Sequence, residues 1–354
     1  MATVSVVGGG VIGLSVAWRA ACAGWTVTVH DPAPGSGASW VAGGMLAPLS
    51  EGWPGEDRVL DLGAASLQRW PDFGARLQRT VDTELFTSGP SLTVALDTAD
   101  AADLRTIADW VSGHGHEMRI LSRAEVRALE PELGPRIRLG LLAPTELSVD
   151  NRALVDALRR AAAETGVRFV DAPVRDVADL TADRVVLAAG SASAKLWPEL
   201  PVRPVKGEIL RLRTRPGATP SPQRTVRGSV HGRPVYLVPR DGGLVVGATQ
   251  YEAVDTQVTV AGVRDLIADA EALFPAIGEY ELHEASAGLR PMTPDNLPLI
   301  GRVSERVIAA TGHGRNGVLL TPITVDAVLA ELGDESLPEA KYADPRRFTE
   351  EGVR

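Results

Sequence analysis

Val4-Ser5-Val6-Val7-Gly8-Gly9-Gly10-Val11-Ile12-Gly13 opens the chain, and Thr26-Val27-Thr28-Val29-His30 runs directly into Asp31. A short β-branched run enters a G-x-G-x-x-G loop, a helix follows, and a second β-branched run ends in an acid. Gly8 permits the tight turn, Gly10 lets the backbone approach a pyrophosphate, and Gly13 lets the helix pack closely on its strand. The helix N-terminus then offers unpaired N–H groups and the positive end of its dipole to phosphates. Asp31 follows Gly8 by 23 residues, the reach at which an acid bonds a ribose hydroxyl pair. A bare glycine pattern would say little. Framed by two strands and the acid, it reads as a site for an adenine dinucleotide.

Ala2 to Trp18 is uncharged, which raises the alternative of a signal peptide. No Lys or Arg precedes the apolar run and three consecutive glycines interrupt it, so a targeting role is not expected. Ala20-Ala21-Cys22 has the outline of a lipoprotein cleavage site, but Arg19 stands where an aliphatic residue belongs. No stretch is long enough to span a bilayer, and the expected location is the cytoplasm. The length of 354 residues suggests two domains, with 44% hydrophobic residues to build their cores. A net charge of −9 without a basic patch argues against nucleic acid as a partner. The single cysteine, Cys22, excludes internal disulfides and a multi-cysteine metal site. It falls on the first helix, where a buried small hydrophobe is expected. The six histidines are scattered without a ligand spacing, so no metal site is expected.

After Asp31, the small-residue loop Pro32 to Pro48 lets backbone approach a ligand and is expected to lie over the cofactor. Helical patterns follow near 56–82, strand-like residues near 85–96, and helices near 99–113 and 123–129. An amphipathic helix over Asn151 to Thr165, capped by Asp150, leads to Val167–Val170, then Pro173–Val177, then Arg184 to Gly190. The last segment reads as another parallel strand ending beside the dinucleotide. From about 202 to 250 the pattern turns antiparallel, with Arg240-Asp241-Gly242-Gly243 as a hairpin turn. A helix near 261–273, a strand Val307–Ala310, a glycine loop and a helix from about 322 follow, and the tail from Tyr342 is polar and peripheral.

Four stretches together resemble the flavin-dependent amine oxidases of the D-amino-acid oxidase and glycine oxidase superfamily. They are Val7 to Gly13, the loop Ala38-Ser39-Trp40-Val41-Ala42-Gly43-Gly44-Met45-Leu46-Ala47-Pro48, the pair Ala287 to Pro291 and Pro298 to Gly301, and Gly312-His313-Gly314-Arg315-Asn316-Gly317-Val318 to Pro322. Gly44 to Pro48, with the segment Val238 to Thr249, looks most like glycine oxidase of thiamine biosynthesis. The resemblance implies an α/β + α+β protein with a Rossmann-like FAD-binding domain and an antiparallel-sheet substrate domain. The first would be assembled from residues 1–84, 147–200 and 290–354, the second from 85–146 and 201–289. It implies non-covalent FAD, since covalent attachment of the sarcosine-oxidase type needs a C-terminal cysteine and Cys22 stands alone. FAD would be held by Gly8, Gly10, Val11, Ile12, Gly13, Asp31, Ala38, Ser39, Gly43, Gly44, Met45, Val174, Gly190, Gly312, Gly314, Arg315, Asn316, Gly317 and Val318.

Such enzymes move a hydride from the Cα of an amino acid to the flavin, so no protein residue is assigned the redox step. The protein must instead hold the substrate close and correctly oriented. A carboxylate is best held by a planar, permanently charged fork, which favours Arg over Lys. Arg290 matches the family's carboxylate-binding arginine, Tyr236 the tyrosine that supports it, and Arg315 a second arginine near flavin and substrate. Met45 and Glu51 complete the implied substrate site. The plain alternatives are ion pairs for the arginines, a sheet-face role for Tyr236 and a solvated surface position for Glu51. Pro234 stands where relatives can carry a polar residue, which puts a contact from that position to the substrate amine in doubt. The implied partners are a small amino acid and O2, with the product passing to thiazole synthase, in a homo-oligomer for which a tetramer is one form. A D-amino-acid dehydrogenase using another acceptor is the close rival; a non-catalytic FAD-binding protein is the rival of another class. An NAD dehydrogenase fares worse, because nothing after Asp31 resembles a second nicotinamide-type half.

Overall fold

The computed structural model describes residues 1–348. Thr3–Val7, four of its five residues buried, forms the centre of a six-stranded sheet. Thr26–His30 and then Arg168–Val170 lie on one side of it, and Arg184–Leu187, Val307–Thr311 and Leu299–Arg302 on the other. All pairings are parallel except that of the edge strand Leu299–Arg302. Parallel strands need crossovers. The helix Val11–Cys22 supplies the first, and packs with Asn151–Glu164 and Thr321–Leu332 over one face. Asp150 caps the second of these helices, accepting from the amides of Arg152 and Ala153.

A second sheet of eight strands runs in the order Glu281–Met292, Arg203–Arg213, Gly243–Gly247, Arg233–Arg240, Val226–Val230, Ser91–Ala95, Leu139–Ala143 and Arg119–Ser122. Its neighbours are antiparallel apart from Val226–Val230 against Ser91–Ala95. The helix Val260–Leu273 covers one face, burying Leu266, Ala270 and Leu273 among Leu210, Leu237 and Val246. The other face is turned toward the small-residue loop. A small third sheet joins Met45–Leu46 and Phe86–Ser88 to Leu147–Val149. The chain is thus mixed α/β with a parallel and an antiparallel sheet.

Several details depart from the sequence reading. Residues 85–96 divide at Gly89-Pro90 into strands of two different sheets. Pro173 to Asp176 forms no strand, and Val177–Asp179 is a 3-10 turn capped by Asp176. Glu281–Met292 carries Gly288 and Pro291 and had no strand signature, yet it is the longest strand of the sheet. It sits at an edge, where a missing N–H costs nothing on the solvent side, and it runs unbroken through position 290. Cys22, expected in the core, is exposed at the end of its helix. The tail expected to be peripheral docks as far as it is described: Ala343 and Pro345 are buried, and Arg347 pairs with Asp295 at 2.7 Å. The remainder of that tail lies outside the described residues.

Candidate active site

Between the two large sheets lies a cavity of about 610 Å³. The glycine loop forms one end. Gly8 has φ +107°, and a Cβ there would lie 2.3 Å from the carbonyl oxygen of Ala188. A Cβ on Gly13 would lie 1.9 Å from the carbonyl oxygen of Gly8. The first helix has no side-chain cap from Gly10, so its N-terminus faces the cavity through backbone. Ser39 Oγ accepts from the Val11 amide at 3.0 Å, tying the small-residue loop to the helix start. Asp31 accepts from the amides of Gly9 at 2.6 Å and Ala33 at 2.8 Å, so its carboxylate fixes the loop while still bordering the cavity. Ala38, Gly43, Gly44, Met45, Val174, Gly190 and the segment Gly314 to Val318 line the same space. Gly13 and Gly312 do not. Gly13 acts on packing, and Gly312 lies against Thr293, whose methyl a Cβ would meet at 2.6 Å.

The other end is built on the antiparallel sheet. Ser286, Ile209, Gly247, Tyr236 and Arg227 stand opposite one another on successive strands, so they share one face. Gly247 leaves room for the tyrosine ring, since a Cβ there would lie 2.3 Å from its Cζ and hydroxyl. Burial pushes the Tyr236 phenol up while the Arg290 cation draws it down, and the net shift is upward. It is therefore a protonated donor, and it has no hydrogen bond within the described residues. Arg290 lies over Gly207, donates from Nη1 to the Thr249 carbonyl at 3.1 Å, and has no ion-pair partner within the described residues. A half-buried cation without an ion-pair partner and a half-buried hydroxyl without a hydrogen bond, among the described residues, thus face one cavity. Because a Cβ on Gly207 would stand 2.4 Å from both terminal nitrogens of Arg290, Gly207→Ala should displace the guanidinium. The displaced group is the end of a flexible side chain, so the melting temperature should move little. Loss of much of one charge-assisted contact should lower kcat/KM for an amino-acid substrate about tenfold. Steady-state kinetics with a thermal melt checks both.

Arg315 borders the cavity but is committed to carboxylates. Its Nε lies 3.2 Å from Glu51 and its Nη2 3.5 Å from Glu56. Glu51 is not a solvated surface group: its second oxygen lies 3.1 Å from Arg227. The sequence reading missed Arg227, because only the pairing of Val226–Val230 with Arg233–Arg240 brings it beside Tyr236. It missed Glu146 as well. This wholly buried carboxylate accepts from the amides of Leu49 and Ser50 and from the Ser50 hydroxyl, at 2.7 to 2.8 Å, and so fixes the backbone that carries Glu51.

His313 is buried, and its burial depresses the imidazole to about 3. Thr324 donates its hydroxyl to the Leu320 carbonyl, so its oxygen accepts from His313 Nε2, at 2.9 Å, and that nitrogen carries the proton. A folded-state value below the ordinary 6.5 means that the unfolded chain binds the proton first. Its stabilising contribution is therefore full above 6.5 and is lost as pH falls toward 3. Between pH 7 and 5 this costs about 2 kcal/mol. In urea unfolding at the two pH values, His313→Gln should reduce the acid loss by that amount.

Residues 3–332 match the family DAO, FAD dependent oxidoreductase. The chain belongs to it. This FAD dependent oxidoreductase is 35% identical over 368 positions to a Bifunctional protein ThiO/ThiG of Synechocystis, covering 98% of this chain and 54% of that protein. It therefore spans about half the length of that bifunctional relative. It is 32% identical over 378 positions to a Glycine oxidase of Geobacillus kaustophilus, covering 99% of this chain and 98% of the relative. The crystal structure of glycine oxidase from the same organism superposes with a TM-score of 0.90 at 29% identity, over 98% of this chain and 99% of that one. FAD is the cofactor, and the chain's own geometry fits it. The cradle at Gly8 has no room for a side chain, a helix N-terminus faces a cavity of dinucleotide scale, and an acid stands at the end of the second strand.

Proposed function

We propose that this oxidoreductase converts glycine, and sarcosine or small D-amino acids, to the imino acid, with O2 reduced to H2O2. The reading rests on Arg290: a cation in the cavity whose one hydrogen bond among the described residues is to a carbonyl, beside the donor hydroxyl of Tyr236. Such a pair holds a carboxylate in two-point fashion. FAD, when bound, would supply the two-electron acceptor. Arg290 fixes the substrate carboxylate, Tyr236 donates to it, and Ile209 and Met45 keep water from the reacting carbon. Hydrolysis of the imino acid gives glyoxylate and ammonia, so glycine, O2 and water yield glyoxylate, ammonia and H2O2. In the cell the imino acid would pass to thiazole synthesis for thiamine, in the cytoplasm, with the chain as a homo-oligomer.

In this reading, FAD is held non-covalently by the glycine loop, Asp31, the loop Ala38 to Met45, Val174, Gly190 and the stretch from His313 to Val318. Among the described residues, the FAD part is formed by 1–84, 147–200 and 290–348 and the substrate part by 85–146 and 201–289, with Glu281–Met292 bridging them. The purified protein should be yellow and release FAD on acid precipitation. Glycine in air should produce equal amounts of H2O2 and glyoxylate. If only artificial dyes restore the oxidised flavin, the dehydrogenase reading replaces this one. If no amino acid reduces the flavin, the protein is a passive binder.

A further inference from the structure

Arg227 is a second cation in the substrate chamber, and nothing in the reaction of glycine uses it. It stands opposite Tyr236 on the neighbouring strand, on the same sheet face. The charges of Arg290, Glu51 and Arg227 all act on the Tyr236 phenol. Arg227 donates from Nη1 to Ser50 Oγ at 3.1 Å and pairs through Nη2 with Glu51 at 3.1 Å, while its Nε is buried without a partner among the described residues. A guanidinium has five N–H donors, so these two contacts leave capacity for another acceptor. Glu51 is also shared, giving its other oxygen to Arg315.

The charge balance points to a ligand. Arg290, Arg227 and Arg315 line the chamber; the acids that pair with them are Glu51, on the lining, and Glu56, which is not on it and pairs with Arg315, three guanidiniums against two carboxylates. Arg240, which also acts on Tyr236, has its own acid in Asp150 at 3.4 Å. A zwitterionic monocarboxylic amino acid is neutral and leaves one positive charge of the chamber unmatched. An amino acid with two carboxylates and one ammonium carries the complementary charge. We propose that Arg227 is a second carboxylate anchor, so that this chamber selects glycine-type substrates bearing a second acidic group. The proposal rests on the amino-acid oxidase reading of the same chamber. The second carboxylate could hang from the amine nitrogen or from Cα, and the chemistry at Arg227 is the same.

Binding is tested on the holoenzyme with two ethers that cannot form an imine: diglycolate, with two carboxylates, and methoxyacetate, with one. Calorimetry should give a dissociation constant at least about tenfold lower for diglycolate, the scale of one charge-assisted contact. Arg227→Gln should collapse the ratio of the two constants toward unity, whatever it does to each, and Arg227→Lys should keep part of it. Equal affinities in the unmodified protein, or a ratio that survives Arg227→Gln, would overturn the assignment. If the glutamine variant does not fold, the unmodified protein's ratio still decides. Turnover of iminodiacetate and of D-aspartate against sarcosine then shows which attachment is accepted. A lower KM for either supports the proposal, and higher values for both overturn it. If no amine reduces the flavin, the oxidase reading falls, while the ether ratio still judges Arg227.

Discussion

Arg290→Ala should lower kcat/KM for glycine by about two to three orders of magnitude. A carboxylate in a site shielded from water needs a paired cation, and removing one partner of such a pair costs roughly 3–5 kcal/mol, with about 1.4 kcal/mol for each factor of ten. Arg290 is suited to be that partner because its charge is not already consumed. Its contact is the Thr249 carbonyl and it has no ion-pair partner among the described residues, whereas Arg240 pairs with Asp150 and Arg315 with Glu51 and Glu56. FAD content should hold steady, since the glycine loop and Asp31 lie at the far end of the cavity. Arg290→Lys should recover only part of the loss, because an ammonium cannot reproduce the planar fork. A simple primary amine without a carboxylate should be a poor substrate for the unmodified protein and nearly indifferent to the change. Glycine turnover that survives Arg290→Ala would remove this arginine from the substrate site. Joint loss of FAD and activity would make it a structural residue.

What was legible in the chain was what is local. The glycine loop, the Asp150 cap and the Arg240 to Gly243 turn each involve residues within a few positions of one another, so periodicity and turn chemistry reveal them. Arg227 could not be found this way. Its segment Val226-Arg227-Gly228-Ser229-Val230 is short and carries a glycine and a charge, and its value comes from standing opposite Tyr236. Register across strands is fixed by tertiary packing. The same holds for Glu146, whose hydrogen bonds to Leu49 and Ser50 cross almost a hundred residues of sequence. Arg290 and Tyr236 are proposed for the site through resemblance to a family. Their placement on the cavity depends on Gly207 and Gly247, small residues that leave room for a guanidinium and a ring. Cys22 was misplaced for a related reason: the period of a helix does not say where its last turn leaves the protein.

The glycines of the dinucleotide loop should separate into two kinds of failure, and Gly13→Ala should be the more severe. A Cβ at Gly13 would stand 1.9 Å from the Gly8 carbonyl oxygen and 3.3 Å from a Val6 methyl. The first obstacle is backbone, held in a turn whose amide at Gly9 is already tied to Asp31, so it cannot rotate aside. The helix must lift from its strand. Overpacking of this kind costs about 1–3 kcal/mol and sometimes more. It also withdraws the helix N-terminus from the pyrophosphate position, so FAD occupancy should fall at least about tenfold. Gly10→Ala is the contrast. Its Cβ would meet only Ser39 Oγ, at 3.2 Å, a side chain that can give way, so the fold should tolerate it. The methyl would instead occupy the surface on which a pyrophosphate rests. Melting temperatures in excess FAD, together with the ratio of flavin to protein absorbance after gel filtration, distinguish the two. Gly13→Ala should melt several degrees low even when saturated. Gly10→Ala should melt near the unmodified protein yet emerge from the column pale. Should Gly13→Ala keep its colour and its melting temperature, the helix is not held against the loop as the 1.9 Å approach requires.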